Sequence, residues 1–278
     1  MTIIADCGST KTTWSLVDSH SKVVTEGLNP HFTTDEAFLA ACSAVRQYYS
    51  SQHPTFSALH FYSAGCGNET QRRRVKCLLQ KGFETDNVEV ATDMLGACRA
   101  LCGHKAGIVG ILGTGSNACY YDGERITIQP FSTGYILGDH GSANHLGRML
   151  LQGYLSETMP DNLRIKFHDT YPLSSEDFIN VVYHQPNPNR FLASLAPFAT
   201  KNKHYSYCYY LIMNSLNEWY RYQIEGLVET TQCHELYLTG GFAASLKSTL
   251  KAFADNNNLI VCAVASDPMP GLIRYHQD

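Results

Sequence analysis

The chain has 278 residues, of which 44% are apolar, and a formal charge of −4 at pH 7. This is enough chain and apolar surface for two ordinary domains or one large one. The only basic run is Arg72-Arg73-Arg74, which argues against a nucleic-acid partner. No stretch approaches the roughly 20 apolar residues that span a bilayer. Met1-Thr2 leads straight into a strand, so no secretory signal is expected and the protein reads as cytoplasmic.

In chain order, a strand over Thr2 to Asp6 is followed by a hairpin, Thr13 to Val17 and Lys22 to Glu26, turning through Asp18-Ser19-His20-Ser21. A helix follows from Asp35 to Tyr49, capped by Thr34, with Phe38, Leu39, Ala41, Cys42 and Val45 as its apolar stripe. His60 to Ser63 is a short strand entering the loop Ala64 to Asn68, and the next helix carries Val75, Leu78 and Leu79. Asn87 to Ala91 is a strand, with a helix beginning near Thr92.

The second half repeats this opening. Ile108 to Leu112, Asn117 to Tyr121 and Arg125 to Ile128 read as strands, with Asp122-Gly123 as the hairpin signal. Helical periodicity then covers Gly141 to Leu155, Ser174 to Tyr183, Pro188 to Phe198 and a long stretch from Tyr205 to Glu229. Glu235 to Leu238 is a strand, Thr239-Gly240-Gly241-Phe242-Ala243 opens a helix to about Ala254, and Leu259 to Cys262 is a last strand. Two copies of one unit, the second with a helical insert, predict an internally duplicated α/β protein of two lobes with a cleft between them. The lobes are 1–103 and 104–278, with the boundary near Leu101 to Lys105.

Two loops carry one pattern. Asp6-Cys7-Gly8-Ser9-Thr10-Lys11-Thr12 follows the first strand, and Gly113-Thr114-Gly115-Ser116 follows the equivalent strand of the second half. Glycine lets backbone N–H groups approach an anion, and the hydroxyls add donors. Such a pair of loops predicts binding of nucleotide phosphates. The Asp6 carboxylate would face them only with a cation between, for which Mg²⁺, which bridges phosphate oxygens while keeping waters, is the natural choice. Gly240-Gly241 would let a flat ring or a phosphate near a helix N-terminus, or would make a plain strand-to-helix turn.

Asp93 fits two roles, an acid complementing a helix N-terminus or a general base for phosphoryl transfer to an alcohol. In Gly134-Tyr135-Ile136-Leu137-Gly138-Asp139-His140-Gly141-Ser142, Asp139 could accept sugar hydroxyls or cap the following helix. Asn29 precedes Pro30 in an extended loop and says nothing alone. There is no GxxxxGK[ST], no GxGxxG after the first strand, and no HExxH. The ten cysteines include no CxxC pair and read as reduced, small core residues. Tyr205-Ser206-Tyr207-Cys208-Tyr209-Tyr210 reads as the start of a buried helix rather than a stacking platform.

Together the first loop, Gly113-Thr114-Gly115-Ser116 and Leu238-Thr239-Gly240-Gly241-Phe242-Ala243 resemble the two phosphate motifs and the adenosine motif of the actin-like ATPase (sugar kinase, Hsp70, actin) superfamily, with its duplicated ribonuclease H-like domains. Asn29-Pro30, Thr92-Asp93 and Gly138-Asp139-His140-Gly141-Ser142 resemble the N-acetylglucosamine kinase branch of the BadF/BadG/BcrA/BcrD ATPase family. The resemblance implies ATP and Mg²⁺ as cofactors. Asp6 would hold Mg²⁺ through water. Gly8, Ser9, Thr10, Lys11, Thr12, Gly113, Thr114 and Gly115 would lie at the phosphates, and Gly240 and Gly241 at the adenosine. Asn29, Asp93, Gly134 and Asp139 would bind a small-molecule amino sugar, with Asp93 as the base on its primary hydroxyl. N-acetylglucosamine giving its 6-phosphate is the leading activity. The alternatives are an ATPase that activates a partner enzyme and a non-catalytic nucleotide- or sugar-binding module. A homodimer is the base-rate expectation, with no motif for one. The sequence departs from the family at His140, where Glu is usual, and at Cys7, where a small residue such as Gly is usual.

Overall fold

The computed structural model describes residues 1–8, 11–18, 21–50 and 55–277. It divides into two compact units: Met1–Lys105 with Gly123–Arg125 and Asp267–Asp278, and Ala106–Asp122 with Ile126–Ser266.

In the first unit, β1 (Thr2–Cys7), β2 (Lys11–Leu16) and β3 (Lys22–Glu26) form an antiparallel meander. After α1 (Asp35–Tyr49) come β4 (Ala58–Ser63), α2 (Glu69–Phe83), β5 (Val88–Thr92) and α3 (Asp93–Cys102), and the sheet order is β3-β2-β1-β4-β5. β4 is parallel to both β1 and β5. In register Asp6 pairs with Tyr62, and Tyr62 with Ala91. Asp6 and the start of α3 therefore share the C-terminal end of the parallel strands, where ligands of open α/β sheets gather. The caps follow side-chain chemistry: Thr34, Asn68 and Thr92 each accept a backbone N–H of the first turn of α1, α2 and α3. Trp14 packs against Phe61 and Phe83 in a core that includes Ile3, Phe38, Val45 and Leu79.

The second unit opens with β6 (Gly107–Leu112), β7 (Ser116–Tyr121) and β8 (Ile126–Ile128), again antiparallel. The insert follows: α4 (Gly134–Leu137), α5 (Ala143–Leu155), α6 (Asp161–Thr170), α7 (Ser175–His184), α8 (Pro188–Lys201), α9 (Ser206–Trp219), a π-helical turn (Tyr220–Ile224) and α10 (Glu225–Thr231). β9 (Glu235–Thr239), α11 (Gly241–Ser245), α12 (Lys247–Asn256) and β10 (Ile260–Ala265) complete the sheet, ordered β10-β9-β6-β7-β8. Read from the other edge, this is the first sheet's order strand for strand, which confirms the duplicated two-lobe α/β fold. Trp219 and Phe253 meet in a core with Leu112, Leu146, Phe167 and Leu238.

The last helix, α13 (Met269–Tyr275), lies in the first unit, where Met269 and Leu272 share a core with Ile4, Tyr62 and Ala100. A polar network ties it down. His276 Nε2 is 2.8 Å from the Tyr62 hydroxyl, which accepts from Arg99 at 2.7 Å, and Arg99 also donates to Glu89 at 2.8 Å. His60 stacks on His276 and lies 2.7 Å from Glu89. The His60 hydrogen bond, followed by Arg99, holds the Glu89 carboxyl down to about 2 despite partial burial.

Three differences from the sequence reading have local causes. α6 was not expected: it follows Pro160 and buries only Leu163 and Phe167, too few for a visible stripe. α13 was not expected either: it is seven residues long, with Pro268 as its cap and Pro270 in its first turn, too short to show a period. The stretch from Tyr205 to Glu229 is helical throughout but passes through the π turn. The hairpin residues Ser19 and His20 lie outside the described residues. Seven of the ten cysteines are buried, as expected of small core residues, and burial pushes the Cys42 thiol up to about 12. Among the described residues no helix is long and apolar enough to cross a membrane.

Candidate active site

The first unit gathers three carboxylates. Asp6 is half-buried near the end of β1, and burial, then the charges of Asp93 and Asp267, push it up to about 7, with Lys11 opposing. Asp93 is the first residue of α3. Thr92 is the cap and Asp93 lies in the first turn, where one of its oxygens accepts the Met94 N–H at 2.9 Å. Burial raises its pKa above the ordinary carboxylate range. Asp267 accepts from Lys22 at 2.8 Å and from the Met269 N–H at 2.9 Å. Sequence reasoning missed Asp267, because only the return of the chain's last segment to the first unit sets it near Asp6.

The Gly8 N–H donates to Lys11 O at 3.0 Å, closing the connection from β1 to β2, and Lys11 is exposed. Ser9 and Thr10 lie outside the described residues. Thr12 is fully buried, and its hydroxyl donates to Glu26 O at 3.1 Å and accepts the Leu28 N–H at 3.2 Å. Asn29 Oδ1 accepts the His31 N–H at 3.0 Å. Its side-chain nitrogen has no protein partner among the described residues.

In the second unit the Gly113 N–H donates to Gly115 O, and the Gly113 and Thr114 carbonyls accept the first two amides of α5. The Thr114 hydroxyl has no protein partner among the described residues. A Cβ on Gly115 would come within 2.6 Å of Asp139 Oδ2, so the loop can lie against that carboxylate only with glycine there. Asp139 accepts the Ser116 N–H at 3.3 Å and Asn144 Nδ2 at 3.0 Å from a left-handed backbone, φ 52°. It does not cap α5, which Ser142 does. Gly134 opens α4 at φ 70° beside open space.

Gly240 and Gly241 follow β9 and have different reasons for being glycine. Gly240 sits at φ 120°, and a Cβ there would approach Leu112 O to 2.3 Å. At Gly241, as at Gly113, a Cβ would meet nothing within 4 Å, which leaves room for a ligand to approach the backbone.

The residues present fit a nucleotide and a hydrated cation. Among the described residues no protein donor reaches the Asp6 carboxylate, and its acidic neighbours make a divalent cation the natural counter-charge. Among the described residues no cluster of three or more His, Cys, Asp or Glu side chains has a metal-holding arrangement. Thr239 Oγ1, just before the glycine pair, and Asn144 Oδ1, beside the Thr114 loop, are buried without protein partners among the described residues.

These two sheets, each with a glycine turn at the end of its first strand, define the actin-like ATPase fold. No protein-family model and no curated protein matches the sequence. Solved structures do. The chain is similar to a putative N-acetylglucosamine kinase from Porphyromonas gingivalis at 36% identity and TM-score 0.93, over 99% of this chain and 98% of that one. A putative N-acetylglucosamine kinase from Chromobacterium violaceum shares the fold at 19% identity and TM-score 0.72, over 99% and 98%. A ROK family glucokinase from Streptomyces griseus, solved with glucose and AMPPNP, shares it at 14% identity and TM-score 0.58, also over 99% and 98%. The chain belongs to the family of the Porphyromonas gingivalis protein, within the sugar kinases of the actin-like ATPase fold.

Proposed function

We propose that the protein transfers the γ-phosphoryl group of Mg-ATP to the primary hydroxyl of an amino sugar, with N-acetylglucosamine the first candidate, and that it falls in the N-acetylglucosamine kinase-like branch of the BadF/BadG/BcrA/BcrD ATPases. The observation that carries this reading is the half-buried Asp93 at the C-terminal end of the parallel strands, its charge coupled to that of Asp6, whose carboxylate no donor reaches among the described residues. The likeness to the Porphyromonas gingivalis protein supports the choice of sugar.

In this reading Asp93 orients the primary hydroxyl and accepts its proton. The hydroxyl oxygen bonds to the γ-phosphorus as the bond from phosphorus to the β,γ-bridging oxygen breaks, and ADP leaves. A carboxyl raised by burial is a better proton acceptor than an ordinary surface aspartate. Asn29 and Asp139 hold the other sugar groups. Thr114 and the amides around Gly8 and Gly113 hold the phosphates, and the open backbone at Gly241 lies against the adenosine. Asp6 holds Mg²⁺ through water, and the ion when bound neutralises charge on the phosphates.

Asp93→Asn is the direct test. It keeps the shape and removes the base, so sugar-dependent ADP formation should fall sharply while nucleotide binding persists. Turnover at the wild-type rate would remove Asp93 from the role.

A further inference from the structure

The insert of the second unit holds side chains to which the reading above gives no role. Glu218, near the end of α9, places Oε2 3.2 Å from His145 Nε2 and 3.9 Å from His140 Nε2, while Oε1 accepts Asn214 Nδ2 at 3.1 Å. His145 is buried. Its Nδ1 receives the Gly141 N–H at 3.2 Å and lies 2.8 Å from Ser215 Oγ. A backbone amide can only donate, so Nδ1 is an acceptor and the neutral ring carries its proton on Nε2, facing Glu218. Burial holds the His145 pKa down to about 4, so the ring is neutral near pH 7.

His140 follows Asp139 directly and is held from three sides. Its ring stacks on Tyr222 of the π turn, with centroids 4.4 Å apart and planes at 23°. Its backbone oxygen accepts the Ser116 hydroxyl at 2.6 Å, and the Ser116 oxygen in turn accepts Gln223 Nε2 at 3.1 Å. Its Nε2 faces the Glu218 charge. Arg148, Asp139 and His145 are the other titratable or charged groups around it. Nδ1 has no protein partner among the described residues. The backbone is left-handed on both sides, at φ 52° for Asp139, uncommon for a residue other than glycine, and φ 77° for Gly141. Such held geometry and π turns recur at functional sites.

We propose that His140 is a specificity-determining contact for the sugar, accepting a hydrogen bond at Nδ1 from a ring hydroxyl or amide N–H, and that Glu218 is a positioning residue whose charge, 3.9 Å from Nε2 and beyond hydrogen-bond reach, biases the ring toward its Nε2–H tautomer. A carboxylate favours an N–H turned toward it, which leaves the lone pair on the opposite nitrogen. His145 and Asn214 hold that carboxylate in place. The inference rests on the sugar-kinase reading of the adjacent Asp139.

The test compares wild type, Glu218→Gln, Glu218→Asp, His140→Ala and the Glu218→Gln/His140→Ala double variant. The readouts are sugar KM, kcat, ATP KM, thermal midpoint and the ¹⁵N imidazole NMR signals of His140. Glu218→Gln and His140→Ala should each raise sugar KM about tenfold, the size of one hydrogen bond, with smaller changes in kcat and ATP KM. The double variant should be no worse than His140→Ala alone, and Glu218→Asp should recover part of the loss. The NMR signals should show Nε2–H in wild type and mixed tautomers in Glu218→Gln. A lowered thermal midpoint with sugar KM and tautomer unchanged would make Glu218 structural only and overturn the proposal. An active wild type with unchanged KM in His140→Ala removes this contact alone, whereas a wild type without sugar-dependent turnover removes the kinase reading and the contact with it.

Discussion

The two units have the same strand order and differ in what they put at its active end. β1 carries Asp6 as its fifth residue, and the fifth residue of β6 is Ile111. The first unit thus concentrates carboxylates, Asp6 with Asp93 and Asp267, and the second offers uncharged turns with open glycines at Gly113 and Gly241. Between its third and fourth strands the first unit has α1, while the second has α4 to α10 with the π turn. In the proposed reading one duplicated frame serves two tasks: the acidic copy takes a cation and proton transfer, and the glycine copy takes the close approach of an anion or a flat ring. The insert adds the polar set of His145, Glu218 and Gln223.

The largest expected effect breaks the acidic copy. Asp93→Asn should lower kcat by about 10²–10⁴, the usual worth of a positioned base, with ATP affinity kept. Steady-state ADP release and nucleotide titration measure the two separately.

The next effect lies within one turn of the glycine copy. Gly240→Ala forces a Cβ against Leu112 O at φ 120° and should cost about 3 kcal/mol or more, read as a lower thermal midpoint. Gly241→Ala meets open space, so the fold should keep its stability while ATP binding weakens. Equal stability losses at the two positions would undo the distinction.

The smallest effect compares buried histidines of the two units. His276 in the first and His145 in the second are both held down to about 4, chiefly by burial. The unfolded chain takes up protons near pH 6.5 that the folded chain refuses until about pH 4. Their contribution is therefore complete above pH 6.5 and is lost as the pH falls toward 4. Each can add a slope of at most about 1.4 kcal/mol per pH unit. Thermal midpoints between pH 7 and pH 4.5 should fall less steeply in His276→Gln than in wild type; an identical slope would show that His276 has no part in it.

Much of this was readable from the chain because its chemistry is local. Glycine, hydroxyl and aspartate at a strand's end announce a turn wherever the chain goes next, and the repeat of that pattern gave the duplication. Thr34 was readable as a cap for the same reason. Asp139 was open between capping α5 and facing a ligand, because Ser142, which takes the cap, stands only three residues on in the same polar loop. Thr12 sits in a loop-like string of polar residues, yet it belongs to β2, which is buried from Thr12 to Leu16. Asp267 and Glu218 were invisible because their partners lie far away in sequence: Asp6 for one, His140 and His145 for the other. α13 was missed for a local reason: seven residues with prolines at the start show no helical period.

ADP release from Mg-ATP, measured with a panel of amino sugars and plain hexoses and a no-sugar control, tests the central claim most directly. The account predicts ADP formation that depends on one amino sugar, N-acetylglucosamine first, with the phosphate on its primary hydroxyl. ADP formed equally without sugar would contradict it and point to an ATPase that serves a partner protein.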